Sequence, residues 1–278
     1  MRRRRWTPGG IATHVVLVFA ALLFLIPFYL LVRNGLSSEA DITSPSWTFF
    51  PTHIQWSNVR ELFADPAVPY ARSILNSVVV ATLQTVGTLV VCSLAGYGLA
   101  RIPFRYANVV FWVVLATLMV PTAVTFVPTF VVVSTLGWVS TLRGLIVPLL
   151  FSGLTTFLFR QWFLEFPREL EEAARIDGLG YWGAYWRIVV PNSLAFVAAI
   201  GTITFIGAWN GFLWPLVIAQ DSSAWTVQVA LSTFLTAQTI NLHELFTAAA
   251  ISILPLVVVF VTLQRWIVQG VERSGIDD

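Results

Sequence analysis

The sequence contains no lysine: all sixteen of its basic residues are arginine. A Schiff-base lysine and the nucleotide-binding loop G-x-x-x-x-G-K-[ST] are therefore excluded, and another chain must bind ATP if ATP drives this protein. Cys92 is the single cysteine, which excludes an intrachain disulfide and a cysteine cluster for zinc. The three histidines, His14, His53 and His243, are far apart, and neither H-E-x-x-H nor a nucleophile elbow is present. The sequence thus offers no catalytic or metal-binding motif.

Charged residues are also scarce. They make up 11% of the 278 residues, whereas 57% are hydrophobic and the mean hydropathy is +0.78. Soluble domains carry roughly 25% charged residues, so this chain has too few charges to cover the surface of a soluble globule of its size. The composition predicts a membrane protein with several spans.

The hydrophobic runs predict an all-α fold. A membrane helix needs about 20 apolar residues to cross a hydrocarbon core about 30 Å thick. The sequence has runs of this kind, and Pro121, Pro128 and Gly137 divide the longest one into a helix and an external turn. We therefore predict six transmembrane helices, at residues 11–33, 74–100, 106–128, 142–162, 191–217 and 244–266.

The positions of the arginines predict the orientation. Cytoplasmic segments are enriched in arginine. With the N-terminus inside, only four of the sixteen arginines lie outside, namely Arg33, Arg60, Arg72 and Arg143. This orientation places residues 1–10, 163–190 and 267–278 in the cytoplasm and makes residues 34–73 and 218–243 external loops.

The most informative stretch is the longest charged segment, Glu172-Ala173-Ala174-Arg175-Ile176-Asp177-Gly178. Pro167 suits a helix start and Gly178 a left-handed helix end, and Glu171 and Arg175 have the spacing of an ion pair on one face. Ala174 and Gly178 fall on one face with Ala173 beside them, where small side chains would let another protein approach closely. We expect a cytoplasmic helix that a soluble partner binds. The alternative is an amphipathic helix that lies on the membrane.

The motifs resemble those of a known family. The pattern Glu172-Ala173-Ala174-(three)-Gly178-(nine)-Ile188-x-Val190-Pro191 resembles the EAA loop of ABC importer permeases, which usually ends Ile-x-Leu-Pro. The resemblance covers nearly the whole chain and is to the maltose-type carbohydrate permeases, in particular to the second, six-span permease subunit. It is carried by Leu75-Asn76-Ser77, Ala95-Gly96-Tyr97-Gly98-Leu99-Ala100-Arg101, Trp209-Asn210-Gly211-Phe212-Leu213-Trp214-Pro215-Leu216 and Gln264-Arg265-Trp266-Ile267-Val268-Gln269-Gly270.

The resemblance implies a fold, a location and partners. The fold would be that of a type I ABC importer permease with a cytoplasmic EAA coupling helix, in the bacterial inner membrane. The chain would be a multi-pass carbohydrate import subunit and not an enzyme, without a cofactor, a metal or a nucleic-acid partner. A second permease, two ATPase subunits that bind ATP and magnesium, an external sugar-binding protein and membrane lipid would be its partners. The loop at 221–243 would reach into the binding protein, and the residues that contact the ATPase would be Glu172, Ala173, Ala174, Asp177 and Gly178.

Polar residues inside the spans are candidates for the substrate path, because polar side chains in a membrane face the protein interior. Trp209, Asn210 and Trp214 form the densest cluster, and Asn76 is a further candidate. Hydrogen bonding between helices is the alternative role for each of them. The span centres lack ionisable groups, which favours a neutral, hydroxyl-rich solute. Because specificity in such systems would lie mainly in the binding protein, maltose-like disaccharides, trehalose, amino sugars and glycerophosphodiesters all remain open.

An ion-coupled secondary transporter is the alternative function. Proton relays use carboxylates or histidines within the membrane. His14 alone lies within a predicted span, near one end, so the sequence favours the ATP-driven importer.

Overall fold

The structure is a computed structural model that describes residues 8–235 and 241–272. These residues form helices and no β-strand. The predicted cytoplasmic arginines 2–5, the last six residues and residues 236–240 of the predicted external loop lie outside the described residues. The α-helices are α1 (Pro8–Gly35), α2 (Glu39–Thr43), α3 (Ser57–Ala64), α4 (Tyr70–Arg101), α5 (Ala107–Leu118), α6 (Thr122–Thr135), α7 (Leu142–Ile146), α8 (Gly153–Glu165), α9 (Arg168–Ile176), α10 (Tyr181–Ala184), α11 (Val190–Asn192), α12 (Leu194–Trp209), α13 (Leu213–Ile218), α14 (Val227–Thr233) and α15 (Leu242–Glu272).

Three of these helices contain stretches that are long and apolar enough to cross a membrane, namely Ala12–Gly35, Tyr70–Arg101 and Leu242–Gln264. In α1 the apolar side chains are exposed around the helix: the consecutive residues Val15, Val16, Leu17 and Val18, which point to different sides, are each more than half exposed. A helix with no polar face that is not buried in protein suits a lipid environment.

Three bent helix pairs also have the length and composition of a span, which raises the possible number of spans to six. The pairs are α5 with α6 at 100°, Leu142–Leu149 with α8 at 47°, and Tyr181–Asn192 with α12 at 79°.

The bend between α5 and α6 differs from the single helix expected at 106–128. Pro121 has extended backbone angles, φ −60° and ψ 135°, and it separates the two helices. Proline has no N–H and its ring clashes with the preceding turn, so a helix cannot pass through it undisturbed. Pro128, in contrast, lies inside α6, which continues to Thr135 where an external turn was expected. Gly137 follows the end of α6 with a φ of +67°.

The chain divides into two compact units. The first comprises residues 1–70 and 231–254. Within it, Asn58 Nδ2 donates to the carbonyl oxygens of Gly35 and Ser37, both at 2.9 Å, and Thr247 Oγ1 donates to Gly35 O at 2.7 Å. These buried side chains satisfy backbone carbonyls at the end of α1, where the helix leaves them without partners.

The second unit comprises residues 71–230 and 255–278 and carries the candidate site. One aromatic core of this unit is formed by buried residues of α4, α8, α12 and the segment after α10, including Tyr97, Phe159, Phe163 and Tyr185. Helix α4 approaches α8 closely at Gly96, where a Cβ atom would lie 2.7 Å from Phe159 Cβ and 2.9 Å from Arg160 N. Small residues at such contacts let membrane helices pack backbone to backbone.

Candidate functional site

Local sequence signals determine both ends of α9. Pro167 directly precedes the first helical residue, and Glu169 and Glu171 lie in the first turn, where negative charge is favourable. At the other end, Gly178 has a φ of +83°. Gly178 N donates to Arg175 O at 3.0 Å and Leu179 N to Ala174 O at 2.9 Å. These two bonds form a Schellman motif, which confirms the predicted left-handed helix end.

The inner face of α9 is attached to the rest of the unit by a buried ion pair. Glu171 is 3% exposed, and its Oε1 lies 3.1 Å from Arg101 Nε at the end of α4. Tyr97 OH donates to the other carboxylate oxygen of Glu171 at 3.1 Å. Arg101 also donates to the carbonyl oxygen of Phe166, just before α9. The helix is therefore held on α4 by charge and by hydrogen bonds.

The pair expected between Glu171 and Arg175 is not formed. Glu171 turns towards Arg101, and the Arg175 guanidinium lies 4.6 Å from the centre of the Tyr181 ring. A buried carboxylate needs a buried cation and hydrogen bonds, which Arg101 and Tyr97 provide and an exposed Arg175 does not.

Four of the five predicted coupling residues are exposed. Glu172, Ala173, Asp177 and Gly178 face outward, but Ala174 is 3% exposed and packs inward beside Glu171. Ile176 was missed by the sequence analysis, although its side chain is 87% exposed. It lies three residues after Ala173 and therefore shares its face, so an apolar residue at this spacing was the available signal.

The segment after α9 fixes that helix to the core. Helix α10 continues as a π-helix over Tyr185–Val189. Tyr185 OH and Ser93 Oγ share a hydrogen bond of 2.7 Å, and Val189 is fully buried. Ile188 and Val190 of the motif thus pack partly buried against the core of the unit, whereas Pro191 is exposed and Trp182 is 65% exposed.

The structure places the four substrate-path candidates in different settings. Asn76, Trp209 and Trp214 are buried. Asn76 Nδ2 donates to the carbonyl oxygens of Ser223 and Trp225, both at 2.9 Å, while Trp214 Nε1 donates to Gly144 O at 3.0 Å. Asn210 is exposed, and Gln228 Nε2 donates to its Oδ1 at 3.4 Å. Of the four, only Asn210 can meet a solute in this conformation.

The start of the predicted external loop is held in place. Ser223 N donates to Asp221 Oδ1 at 2.7 Å, and this bonding lowers the pKa of Asp221. Asp221 N donates to Ser140 Oγ at 3.0 Å, and Val227 N donates to Ser77 Oγ at 2.7 Å. Together with the bonds from Asn76, these contacts make residues 221–227 a fixed surface.

The replacement of Gly178 by alanine tests the helix end. We expect Gly178→Ala to cost about 1–2 kcal/mol of local stability, because a Cβ atom is unfavourable at positive φ. No atom lies within 4 Å of that Cβ, so the backbone alone causes the loss. Hydrogen exchange of the amides of residues 176–179 should accelerate roughly tenfold. Gly180→Ala is the control, since Gly180 has a φ of −75° and the same open surroundings; alanine is a poorer N-cap for α10, but the exchange of residues 176–179 should stay unchanged. Equal effects of the two changes would contradict this role of Gly178.

Comparison with known proteins identifies the family. Residues 68–273 match the family described as "Binding-protein-dependent transport system inner membrane component". The chain belongs to this family. It is a permease subunit of an ABC importer and not an enzyme, as predicted.

Named relatives of the permease match it along almost its full length. The sn-glycerol-3-phosphate transport system permease protein UgpE of Yersinia pestis bv. Antiqua (strain Antiqua) is 34% identical over 267 residues, covering 94% of this chain and 95% of the relative. The arabinooligosaccharides transport system permease protein AraQ of Bacillus subtilis (strain 168) is 31% identical over 268 residues, covering 96% and 95%. The alternative of an ion-coupled transporter finds no support in these relatives.

A solved structure shares the fold of the permease. A chain from the crystal structure of a bacterial ABC transporter involved in the import of the acidic polysaccharide alginate superposes with a TM-score of 0.80. The match covers 95% of this chain and 98% of the other, at 22% sequence identity.

Proposed function

We propose that this permease imports a sugar or sugar derivative and that α9 couples it to an ATPase. The two named relatives transport an arabinooligosaccharide and a glycerol phosphate, which are both hydroxyl-rich solutes. In our proposal the bent pairs each form one span, giving six, with both termini and α9 on the cytoplasmic side of a bacterial inner membrane. The partners are a second permease, two ATPase subunits that carry ATP and magnesium, and an external binding protein.

The observation that carries the coupling role is that α9 is rigidly held on one side and free on the other. Glu171 and Ala174 are buried against the unit, and Ala173, Ile176, Asp177 and Gly178 are exposed beside them, with Glu172 at the border. An ATPase that binds the exposed side would move α9 as a rigid body. Because Glu171 is bonded to Arg101 and Tyr97, this movement would reach α4 directly. In this proposal α9 is a rigid element that moves between two positions, and its movement couples the bound ATPase to α4.

The substrate path in our proposal contains Asn210, which is exposed and bonded to Gln228. A carboxamide pair of this kind presents both donors and acceptors, as recognition of hydroxyl groups requires. Asn76, Trp209 and Trp214 would not contact the solute. They would stabilise the positions of the helices that line the path.

The test is ATPase activity of the purified assembly, with and without its binding protein and a panel of sugars and glycerol phosphates. We expect one loaded binding protein to stimulate hydrolysis. Glu172→Arg combined with Gly178→Leu should abolish both uptake and ATPase co-purification, whereas Glu61→Arg, an exposed charge reversal in α3, should leave both unchanged. Survival of uptake and co-purification in the double variant would refute the coupling role of α9.

A further inference from the structure

A cavity of about 450 Å³ lies within the second unit, where α4 ends, α5 begins and α9 passes α8. Four arginines line it, Arg101, Arg160, Arg168 and Arg175, together with the two carboxylates of Glu171 and Glu172. The formal charge of its lining is therefore +2, and the cavity is suited to an anion.

Three of the four arginines have no acidic partner in the described part of the chain. Arg101 is paired with Glu171, but Arg160, Arg168 and Arg175 form no ion pair there. Arg160 is half-buried, its guanidinium carbon lies 3.8 Å from the centre of the Phe111 ring, and its buried Nε has no hydrogen-bond partner. Arg160 therefore lines the cavity without a carboxylate to neutralise it, and its charge is available to an anion bound there.

The donors in the cavity favour a phosphate group. Arginine presents its N–H groups as a planar fork that matches phosphate and carboxylate oxygens, and several arginines together can bind more than one oxygen of a phosphate. The first residues of α5, Ala107 and Asn108, also line the cavity, and the side chain of the N-cap Tyr106 makes no capping bond. The positive end of that helix adds to the attraction for an anion.

The apolar part of the lining favours a lipid over a soluble anion. Leu99, Ile102, Phe104 and Leu164 line the same cavity as the arginines. It adjoins the polar end of α4 and the start of α5, whose side chains Val109, Trp112 and Val113 are at least 60% exposed. Exposed apolar residues with a tryptophan are typical of the edge of a membrane, and basic pockets between spans bind anionic headgroups.

We propose that this cavity binds the phosphate group of an anionic glycerophospholipid at the edge of the bilayer. The residues of α9 that line it, Arg168, Glu171, Glu172 and Arg175, follow the spacing of one helix face. Ala173, Ile176 and Asp177 lie outside the lining, so a lipid and a soluble partner can contact α9 at the same time. The lipid would stabilise the position of the helix on α4. This function goes beyond transport and does not depend on which solute is carried.

The experiment is native mass spectrometry of the detergent-purified assembly, titrated with phosphatidylglycerol, phosphatidylcholine or inorganic phosphate. We expect one phosphatidylglycerol to be retained in preference to phosphatidylcholine, and Arg160→Gln to weaken its binding about five- to tenfold, as expected for the loss of one arginine beside an anionic lipid. The matched control is Arg105→Gln, which removes the same charge from an exposed residue four positions after Arg101 that does not line the cavity. It should leave retention unchanged.

The outcomes distinguish the possible occupants. Inorganic phosphate that binds with the same dependence on Arg160, while phosphatidylglycerol does not bind, would overturn the lipid proposal and assign the cavity a soluble phosphate ligand. Equal lipid retention in both variants, or equal retention of phosphatidylcholine, would overturn the proposal. Loss of ATPase co-purification in Arg160→Gln with unchanged lipid binding would also overturn it, because it would assign the cavity to the protein partner. Thermal unfolding of each variant provides the check that the assembly is still folded.

Discussion

Replacing Arg101 with methionine is expected to abolish uptake and to release α9 from its position. Methionine is about as long as the arginine stem but leaves the carboxylate of Glu171 buried without a cation, since its side chain is only 5% exposed. Removing one partner of a buried ion pair costs about 3–5 kcal/mol. Hydrogen exchange of the amides in α9 should accelerate at least a hundredfold, and ATPase co-purification should be lost with uptake.

Two companion variants separate this effect from a general loss of charge. Arg105→Met removes an exposed arginine from the segment that joins α4 to α5. Uptake should stay within about a factor of two, because exposed charges contribute little to stability. The double variant Arg101→Met with Glu171→Leu removes both buried charges, and it should recover much of the lost stability because apolar pairs of similar volume are tolerated. Additive losses in the double variant would show that the two residues do not act as a pair.

The ends of α9 could be predicted because their causes are local. Pro167 and Gly178 restrict the backbone at their own positions, and the Schellman bonds join residues within one turn. The same holds for the apolar runs that became α1 and α15, because length and composition alone make them long enough to cross a bilayer.

The attachment of α9 could not be predicted, because it depends on a residue far away in the sequence. Arg101 lies 70 positions before Glu171, and the spacing rule for helices pointed to Arg175 instead. The burial of Ala174 follows from the same contact: once Glu171 turns towards α4, the residue three positions later must face it too. The small side chain of Ala174 suggested a close contact with a partner protein, but Ala174 is buried within this chain.

The substrate-path candidates also show what could not be predicted from the sequence. Trp209, Asn210 and Trp214 are neighbours in sequence, but α12 ends at Trp209, and Asn210 is exposed while both tryptophans are buried. Composition identifies polar and aromatic residues at membrane depth. It does not distinguish a tryptophan that bonds to a neighbouring helix, as Trp214 does to Gly144, from a side chain that faces a solute.

Replacement of Gly96 is the second change from which we expect a large effect, in this case on the stability of the folded protein. A Cβ atom there would meet Phe159 Cβ and the backbone nitrogen of Arg160 at less than 3 Å, and neither atom can move without moving α8. Gly96→Ala should therefore lower the free energy of unfolding by about 1–3 kcal/mol, as overpacking does, and Gly96→Leu should prevent accumulation of folded protein. Thermal unfolding of the detergent-purified assembly and its yield from membranes measure the two effects.

Gly98, two residues further along the same helix, is the matched control. No atom lies within 4 Å of the Cβ that alanine would add there, so Gly98→Ala should be neutral or slightly stabilising, since alanine is the better helix former. If both changes lowered stability equally, the contact with α8 would not be the cause of the loss at Gly96, because alanine at Gly98 meets no such contact. If Gly96→Ala alone lowers it, the close approach of α4 and α8 positions Phe159 in the aromatic core and Arg101 beside Glu171. The packing of α4 against α8 would then determine where α9 lies.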